Sequence, residues 1–164
     1  MVLLHPIMAY QMWGAAIHRS KYENGGNFPD FLLRLTLKAF RKKFGQEKFD
    51  MILYVPPTKS GELVNNFAKK ISQVLKFPVS LKLRKQRQTK EQKVFENSYL
   101  KADNVKDAFT YNNPTEIKDK SVLLIDDIFD SGATVKEIGR YLTNSGAKKI
   151  APLVIAKTVG GDLT

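Results

Sequence analysis

The stretch Ser121-Val-Leu-Leu-Ile-Asp-Asp-Ile-Phe-Asp-Ser-Gly-Ala-Thr134 decides the fold of this chain. Its first part, Val122 to Ile125, is a continuous apolar run that is too short for a helix. Such a run is typical of a strand buried on both faces, as in a parallel sheet covered by helices. An amphipathic segment with Val135, Ile138 and Leu142 on one face follows and predicts a helix. We therefore expect a strand, a short loop and a helix in succession.

The residues between the expected strand and helix have the composition of an anion-binding loop. They are Asp130, Ser131, Gly132, Ala133 and Thr134. Backbone N–H groups at a helix start have no partner within the helix, and the helix dipole adds positive potential there. Glycine lets the backbone come close to a ligand, and the two hydroxyl groups can donate to phosphate oxygens. The loop therefore predicts a site for a phosphate group.

Two adjacent carboxylates, Asp126 and Asp127, stand where this strand is expected to end. They would repel a phosphate, so they suit a neighbouring pair of sugar hydroxyls, or a hard divalent cation such as Mg²⁺ with its waters. A phosphorylated ribose with a metal ion fits both sets of groups. The alternative is a buried strand that ends in a capped turn, with both acids solvated.

Length and composition limit the class of protein. The chain has 164 residues, which favours a single domain over residues 1–164. Cysteine is absent, which excludes disulfides, thiolate catalysis and thiolate metal sites. The net charge of +11 attracts polyanions in general. No apolar run reaches the ~18 residues that a membrane span needs, so we expect a cytoplasmic protein, or a domain cut from a longer one, with no membrane partner.

Strand and helix patterns alternate along the rest of the chain. Pro29 and Asp30 open a helix with an apolar face, and a buried strand is expected from Met51 to Val55, followed by a second amphipathic helix. Further strands are expected at 78–83 and 150–156, the latter at a sheet edge or a strand start because of Pro152. The predicted fold class is α/β, with a mainly parallel, twisted sheet and helices on both faces.

The pattern from Val122 to Thr134 resembles the phosphoribosyl pyrophosphate (PRPP) motif of type I phosphoribosyltransferases. It has four apolar residues, two acids, two spacers and then Asp-Ser-Gly-Ala-Thr. This resemblance implies that the chain binds PRPP with Mg²⁺ and transfers its phosphoribosyl group to a nitrogenous base, with release of pyrophosphate. It also implies a small N-terminal hood segment beside the α/β sheet.

The same resemblance assigns a role to each loop. Asp126 and Asp127 would hold the ribose hydroxyls and, through water, the metal, while residues 130–134 would hold the 5′-phosphate. Asp130 would act as a general base towards the incoming nucleobase, and Lys157, after the last strand, would contact that base. Pyrophosphate would be bound after the second strand by Thr58, Lys59, Ser60 and Gly61.

Three further segments are similar to ComF-like proteins, a bacterial branch of this family. They are His18-Arg-Ser-Lys-Tyr22, Arg84-Lys-Gln-Arg-Gln-Thr-Lys-Glu-Gln92 and Asn104-Val-Lys-Asp-Ala-Phe109. With the PRPP motif, they most resemble the phosphoribosyltransferase-like C-terminal domain attached to some bacterial RecQ-type DNA helicases. The resemblance implies a mobile loop near residues 84–93 that closes over PRPP. Its candidate pyrophosphate ligands are Arg84, Lys85 and Arg87, for which a solvated surface and DNA contact are the alternatives.

Two functions from different classes remain open. The first is an Mg²⁺-dependent transferase that consumes PRPP, with a nucleobase as acceptor. The second is a non-catalytic module that binds PRPP, a nucleotide or DNA and serves a DNA-processing protein, such as a RecQ-type helicase or a DNA uptake or repair system. The intact motif favours the first and the basic charge favours the second. Assembly as a homodimer is left open.

Overall fold

The structure is a computed structural model that describes residues 7–10, 27–58, 61–91, 94–95 and 97–157. For residues 7–10, 98 and 157 it describes the backbone alone. Its strands are β1 (Ile7–Tyr10), β2 (Met51–Tyr54), β3 (Leu83–Lys85), β4 (Phe109–Tyr111), β5 (Ser121–Phe129) and β6 (Lys149–Lys157). Its helices are α1 (Asp30–Phe44), α2 (Leu63–Leu75), α3 (Ser98–Val105) and α4 (Ala133–Asn144), with a short 3-10 helix at Pro114–Ile117.

A parallel sheet in the order β1-β6-β5-β2 forms the centre of the described structure. β5 lies between β2 and β6, with Leu123 opposite Ile52 on one side and Ala151 on the other. β3 and β4 form a separate antiparallel pair in which Arg84 lies opposite Thr110. The prediction of a mainly parallel α/β sheet is confirmed.

Successive residues of β5 face opposite layers, because side chains alternate along a strand. Leu123 and Ile125 pack with α1 and α2 in one hydrophobic cluster. Val122 and Leu124 pack with α4 and the β3–β4 pair in the other. All four side chains are fully buried. The predicted helices on both faces are therefore confirmed, and burial on both sides explains why β5 has no polar face before Asp126.

α1 shows how the apolar periodicity becomes a packed layer. The helix buries Leu37, Phe40 and Phe44, and three of its five basic residues lie in the last turn, where the helix dipole favours cations. It ends at Gly45, whose φ of +58° is readily adopted without a Cβ atom. The rings of Phe44 and Phe49 then meet edge to face at 5.3 Å between centroids, which fixes the entry into β2.

Between β2 and β5, the observed secondary structure differs from the one predicted from the sequence. Residues 78–83 do not form a strand: Val79 makes an isolated parallel bridge with Ile52, and β3 begins at Leu83. The basic stretch that follows was expected to be a long loop, but it contains part of β3 and leads into α3. Alternation of apolar and polar residues is compatible with any extended segment. Which part of the segment becomes a strand depends on the strands that are available to pair with it. Residues 86–108, between β3 and β4, are called the excursion below.

β6 is an interior strand of the described sheet and begins at Lys149, so both positions predicted from Pro152, a sheet edge or a strand start, are wrong. β6 pairs with β5 along Lys149–Lys157 and with β1 on its other side. The described part of β1 begins opposite Leu153, one residue beyond Pro152. Proline has no N–H to donate to a neighbouring strand. Pro152 precedes the first described pair between β6 and β1, so the described pairing does not use an N–H at this residue.

Two sequence predictions lie largely outside the described residues. Of the N-terminal segment that was predicted to form a hood, only the backbone of β1 is described, and it pairs with β6 in the parallel sheet; His18–Tyr22 lies outside the described residues. No helix in the described part of the chain is long and apolar enough to cross a membrane.

Candidate functional site

β5 continues past its two acids to Phe129, so Asp126 and Asp127 lie within the strand and not at its end. Both are buried, with 8% and 9% exposure. Asp126 Oδ1 accepts a hydrogen bond from the Asp127 N–H (2.9 Å), and Asp127 Oδ1 accepts one from the Ile128 N–H (2.8 Å). Because side chains alternate, Asp126 lies on the same face as Leu124, and Asp127 lies on the other face.

Residues 130–134, called the anion turn below, join β5 to α4. Gly132 is the N-cap residue of α4 and has a φ of +73°. Ser131 Oγ accepts a hydrogen bond from the Ala133 N–H (3.3 Å), and the Gly132 carbonyl accepts one from the Lys136 N–H (2.9 Å). The predicted order of strand, turn and helix is therefore present, and backbone donors at a helix start suit a phosphate group.

A lysine from a distant segment pairs with the anion turn. Lys101 Nζ, on α3, donates to Asp130 Oδ2 at 2.5 Å. The exposed fraction is 14% for the Lys101 side chain and 31% for that of Asp130. Nothing in the sequence pattern points to Lys101, because one cation among the 27 lysines and arginines gives no sign of its partner.

β3 brings Lys85 to the loop after β2 and close to Asp126. Lys85 Nζ donates to Thr58 Oγ1 at 2.5 Å. Burial lowers the pKa of Lys85 below its ordinary value, and the negative charge of Asp126 partly offsets that effect. Three residues predicted for the site, from the loop after β2, from β3 and from β5, therefore converge at one edge of the sheet.

Arg84 and Arg87, which were also predicted to bind pyrophosphate, lie in surroundings that differ from those of Lys85. Arg84 is exposed, and as the strand neighbour of Lys85 it faces the opposite way. Arg87 donates to the backbone carbonyls of Asp103 (3.2 Å) and Lys106 (2.6 Å), where α3 ends. The structure thus places Arg87 at a helix terminus, and the role of both arginines as pyrophosphate ligands stays a prediction.

The remaining predicted residues lie at the margins of the described structure. Lys59 and Ser60 are outside the described residues, and Gly61 stands two residues before α2 with a φ of +58°. Lys157 is the last residue of β6 and lies opposite Phe129, next to the anion turn, although its side chain is not described. Their proposed contacts with pyrophosphate and base stay predictions.

The prediction that Asp126 and Asp127 hold a metal ion through water can be compared with the described side chains. The described residues contain no group of three or more His, Cys, Asp or Glu side chains that could hold a metal. Mg²⁺ keeps several waters and is usually bound through one or two carboxylates together with substrate phosphates. Asp126 and Asp127 are carboxylates of that type, but their side chains face opposite layers of the sheet, so their joint binding of one ion stays a prediction.

The chain belongs to a transferase family. Residues 19–160 match the family model described as phosphoribosyl transferase domain, which covers most of the sequence. The family is therefore the one that the motif at 122–134 resembles, while the ComF-like branch and the association with a RecQ-type helicase stay predictions.

Solved structures with the same fold are distant in sequence. A purine phosphoribosyltransferase from Pyrococcus horikoshii is similar with a TM-score of 0.53 and 18% identity, over 84% of this chain and 81% of that one. A hypoxanthine-guanine phosphoribosyltransferase from Bacillus anthracis has a TM-score of 0.50 and 18% identity, over 82% and 71%. The glutamine PRPP amidotransferase from B. subtilis has a TM-score of 0.50 and 20% identity, over 75% of this chain and 26% of that one. No curated protein matches the chain.

Proposed function

We propose that this chain is an Mg²⁺-dependent phosphoribosyltransferase that transfers the phosphoribosyl group of PRPP to a ring nitrogen of a nucleobase and releases pyrophosphate. The family match supports the reaction class. The observation that carries the proposal is that Lys85 donates to Thr58 and lies close enough to Asp126, on the strand that leads into the anion turn, for their charges to interact. Open parallel α/β sheets bind their ligands at this carboxyl edge.

The proposed reaction exchanges one bond at the anomeric carbon for another. The bond from C1 to the pyrophosphate oxygen breaks as the bond from C1 to the base nitrogen forms, so positive charge develops on the sugar. The anion turn would hold the 5′-phosphate, and Asp126 and Asp127 would hold the ribose hydroxyls. Lys85 would donate to the leaving pyrophosphate from beside Thr58. Asp130 would accept the proton that the base nitrogen loses.

The metal would be held by the same two acids. Asp126 and Asp127 would bind Mg²⁺ through its water ligands, and the ion, when bound, neutralises the developing charge of the pyrophosphate. The acceptor class is drawn from the fold neighbours, several of which are purine phosphoribosyltransferases by their descriptions. We therefore propose a purine-like base as the first acceptor to test.

Calorimetric titration with PRPP tests the proposal directly. Wild-type protein is titrated with and without Mg²⁺, next to the double variant Asp126→Asn/Asp127→Asn. As a control, Asp119→Asn changes an exposed acid just before β5, at a φ of +60° that asparagine tolerates. We expect metal-dependent binding in the wild type and the control, and its loss in the double variant. Absence of PRPP binding by the folded wild type would contradict the transferase proposal.

A second candidate function is binding of single-stranded nucleic acid through the excursion. A groove of about 850 Å³ runs along this segment, and Arg87, Lys90 and Lys106 are among its lining residues. Near it, the Tyr99 ring is 76% exposed. Cations that follow a backbone, beside an aromatic ring on which a base can stack, are the usual elements of such sites. Under this second function, the chain would be a non-catalytic module that acts together with a helicase or another DNA-processing protein.

Fluorescence anisotropy with a labelled DNA strand tests the second candidate. Lys90→Gln/Lys106→Gln removes two charges from the groove, and Arg34→Gln/Lys38→Gln removes two from the exposed face of α1. Tyr99→Ala removes the ring alone. If the excursion binds DNA, the groove variant and Tyr99→Ala weaken binding several-fold more than the α1 variant. Equal weakening by both charge variants would assign the binding to net charge and count against the groove.

A further inference from the structure

We propose that Lys101 is a positioning residue of the phosphate site, which compensates the charge of Asp130 so that the anion turn can accept a phosphate dianion. This inference rests on the proposed function and adds a residue to it. Lys101 lies on α3, in the excursion, and no motif of the sequence points to it. It acts on the ligand through Asp130.

The burial of Lys101 is the first observation. Its side chain is only 14% exposed, whereas lysine is almost never buried without a partner. Its Nζ lies 2.5 Å from Asp130 Oδ2, so the two charged groups are in direct hydrogen-bond contact. A buried ammonium is retained where a carboxylate offsets the loss of its hydration. The ion pair therefore attaches Lys101, on α3, to the first residue of the anion turn.

The position of Asp130 is the second observation. This acid stands two residues before Gly132, the N-cap residue of α4. A carboxylate at the start of a helix is favoured by the helix dipole, but it occupies the potential that would otherwise attract a phosphate. A phosphate bound by the anion turn would lie near the Asp130 carboxylate, and two such anions repel each other in a partly buried site. The ammonium of Lys101 removes that repulsion, and the loop can then bind the 5′-phosphate beside an acid.

A second contact keeps the excursion in place when Lys101 is changed. Arg140 Nε, on α4, donates to Glu137 Oε2 at 3.0 Å, and its Nη2 is paired with the Asp107 carboxylate. The Asp107 N–H also donates to Glu137 Oε1 at 2.8 Å. The end of the excursion is therefore attached to α4 independently of Lys101. Replacement of Lys101 changes the charge at the anion turn more than it changes the placement of α3.

Titration calorimetry with ribose 5-phosphate tests this inference without any need for turnover. The proteins are the wild type, Lys101→Met, Asp130→Asn, the double variant and Lys101→Arg, which keeps the charge. Lys120→Met is the control, because it removes an equal charge from an exposed position at the opposite end of β5. Circular dichroism at each titration temperature establishes that every variant is folded.

We expect Lys101→Met to weaken ribose 5-phosphate binding by at least tenfold, while Lys101→Arg and Lys120→Met change it less than threefold. Asp130→Asn should bind at least as tightly as the wild type. The double variant Lys101→Met/Asp130→Asn should recover most of the affinity, because it removes both charges together. A direct contact between Lys101 and the phosphate would leave the double variant as weak as Lys101→Met and would overturn charge compensation.

The remaining outcomes separate the two proposals. If the wild type binds ribose 5-phosphate and Lys101→Met binds equally well, the role of Lys101 is wrong and the phosphate site stands. If the folded wild type binds neither ribose 5-phosphate nor PRPP, the proposed function fails, and the role of Lys101 fails with it.

Discussion

Gly132 carries two structural requirements at the start of α4. Its φ of +73° lies in the left-handed region that other residues rarely adopt. A Cβ atom built on this residue would lie 2.5 Å from Cζ of the Phe129 ring, closer than side-chain atoms approach. The anion turn therefore depends on the absence of a side chain at residue 132. Glycine was predicted here because it lets the backbone approach a ligand, and in the structure the group that the backbone approaches is the Phe129 ring.

We expect Gly132→Ala to lower the free energy of unfolding by about 2–4 kcal/mol, since backbone strain and overpacking each cost about 1–3 kcal/mol. Gly61→Ala is the control: its φ is +58°, and nothing lies within 4 Å of the added Cβ. It should lose about 1 kcal/mol from strain alone. Urea unfolding of both variants measures the difference, and equal losses would mean that Phe129 yields without cost.

The half-buried ammonium of Lys85 predicts a pH dependence. Burial lowers its pKa below the ordinary 10.5, against the attraction of Asp126. Between the lowered pKa and 10.5 the unfolded chain holds a proton that the folded chain has released. The free energy of unfolding contributed by this residue therefore rises with pH across that window and falls as the pH drops through the lowered pKa.

Comparison with Lys85→Met isolates this effect. The free energy of unfolding of the wild type, minus that of the variant, should increase as the pH rises towards 10.5, because other ionisable groups cancel in the difference. Urea unfolding at several alkaline pH values measures it. Lys120→Met accounts for the loss of one positive charge. A difference that stays constant with pH would show that burial of the Lys85 ammonium has no energetic weight.

Among the elements, α3 is the one whose stability depends most visibly on a side chain outside it. The Arg87 guanidinium donates to backbone carbonyls of Asp103 and Lys106 at the end of the helix. The last carbonyls of a helix have no partner within it, and a cation there also interacts favourably with the dipole. At its start, Asn97 Oδ1 accepts from the Leu100 N–H at 2.9 Å. Side chains therefore satisfy both ends of this short helix.

Replacement of Arg87 by Met should therefore loosen α3. We expect the amide protons of Ser98–Val105 to exchange several-fold faster, since such a hydrogen bond contributes about 1 kcal/mol when it is exposed. Amides of α2 should be unaffected. Lys90→Met is the control, because the backbone of residue 90 and not its side chain bonds to Asn104. If Arg87→Met weakens PRPP binding without any change in α3 exchange, Arg87 is a pyrophosphate ligand and its role at the helix end is minor.

The elements also differ in how far sequence predicts them. β5, α1, α2 and α4 were predicted because their apolar periodicity is complete within each segment. The β3–β4 pair and α3 were not, because α3 is short, mostly polar and held by Arg87 and Asn97. At the site, the PRPP motif predicted the anion turn. Lys101 was missed because its partner lies 29 positions away and only the fold brings them together.

At the scale of the molecule, charge is the dominant feature. The chain has 27 basic and 16 acidic residues, which gives a net charge of +11. Several exposed ion pairs, such as that of Lys82 with Glu116, contribute little individually. The excess of like charge opposes the compact state, and salt screens this repulsion over a Debye length of about 10 Å at 0.1 M.

We therefore expect the free energy of unfolding in urea to increase with sodium chloride between low salt and about 0.2 M at neutral pH, because repulsion between the excess cations is screened. The sequence pI of about 9.8 supplies the control. Near that pH the net charge is close to zero, and the salt effect should disappear. A decrease in stability with salt at pH 7 would mean that specific ion pairs outweigh the net charge.

The parallel pairing of β1 with β6 also has a consequence for the order of synthesis. Ile7–Tyr10 leaves the ribosome long before Leu153–Ala156, its partners in the sheet. β5, which carries the anion turn, likewise keeps one edge open until Lys149–Lys157 has been translated. An open strand edge of this kind is a surface for wrong pairing, and β6 covers it once β6 has been translated. If the anion turn holds a phosphate as proposed, we expect that capacity only after β6 has been translated.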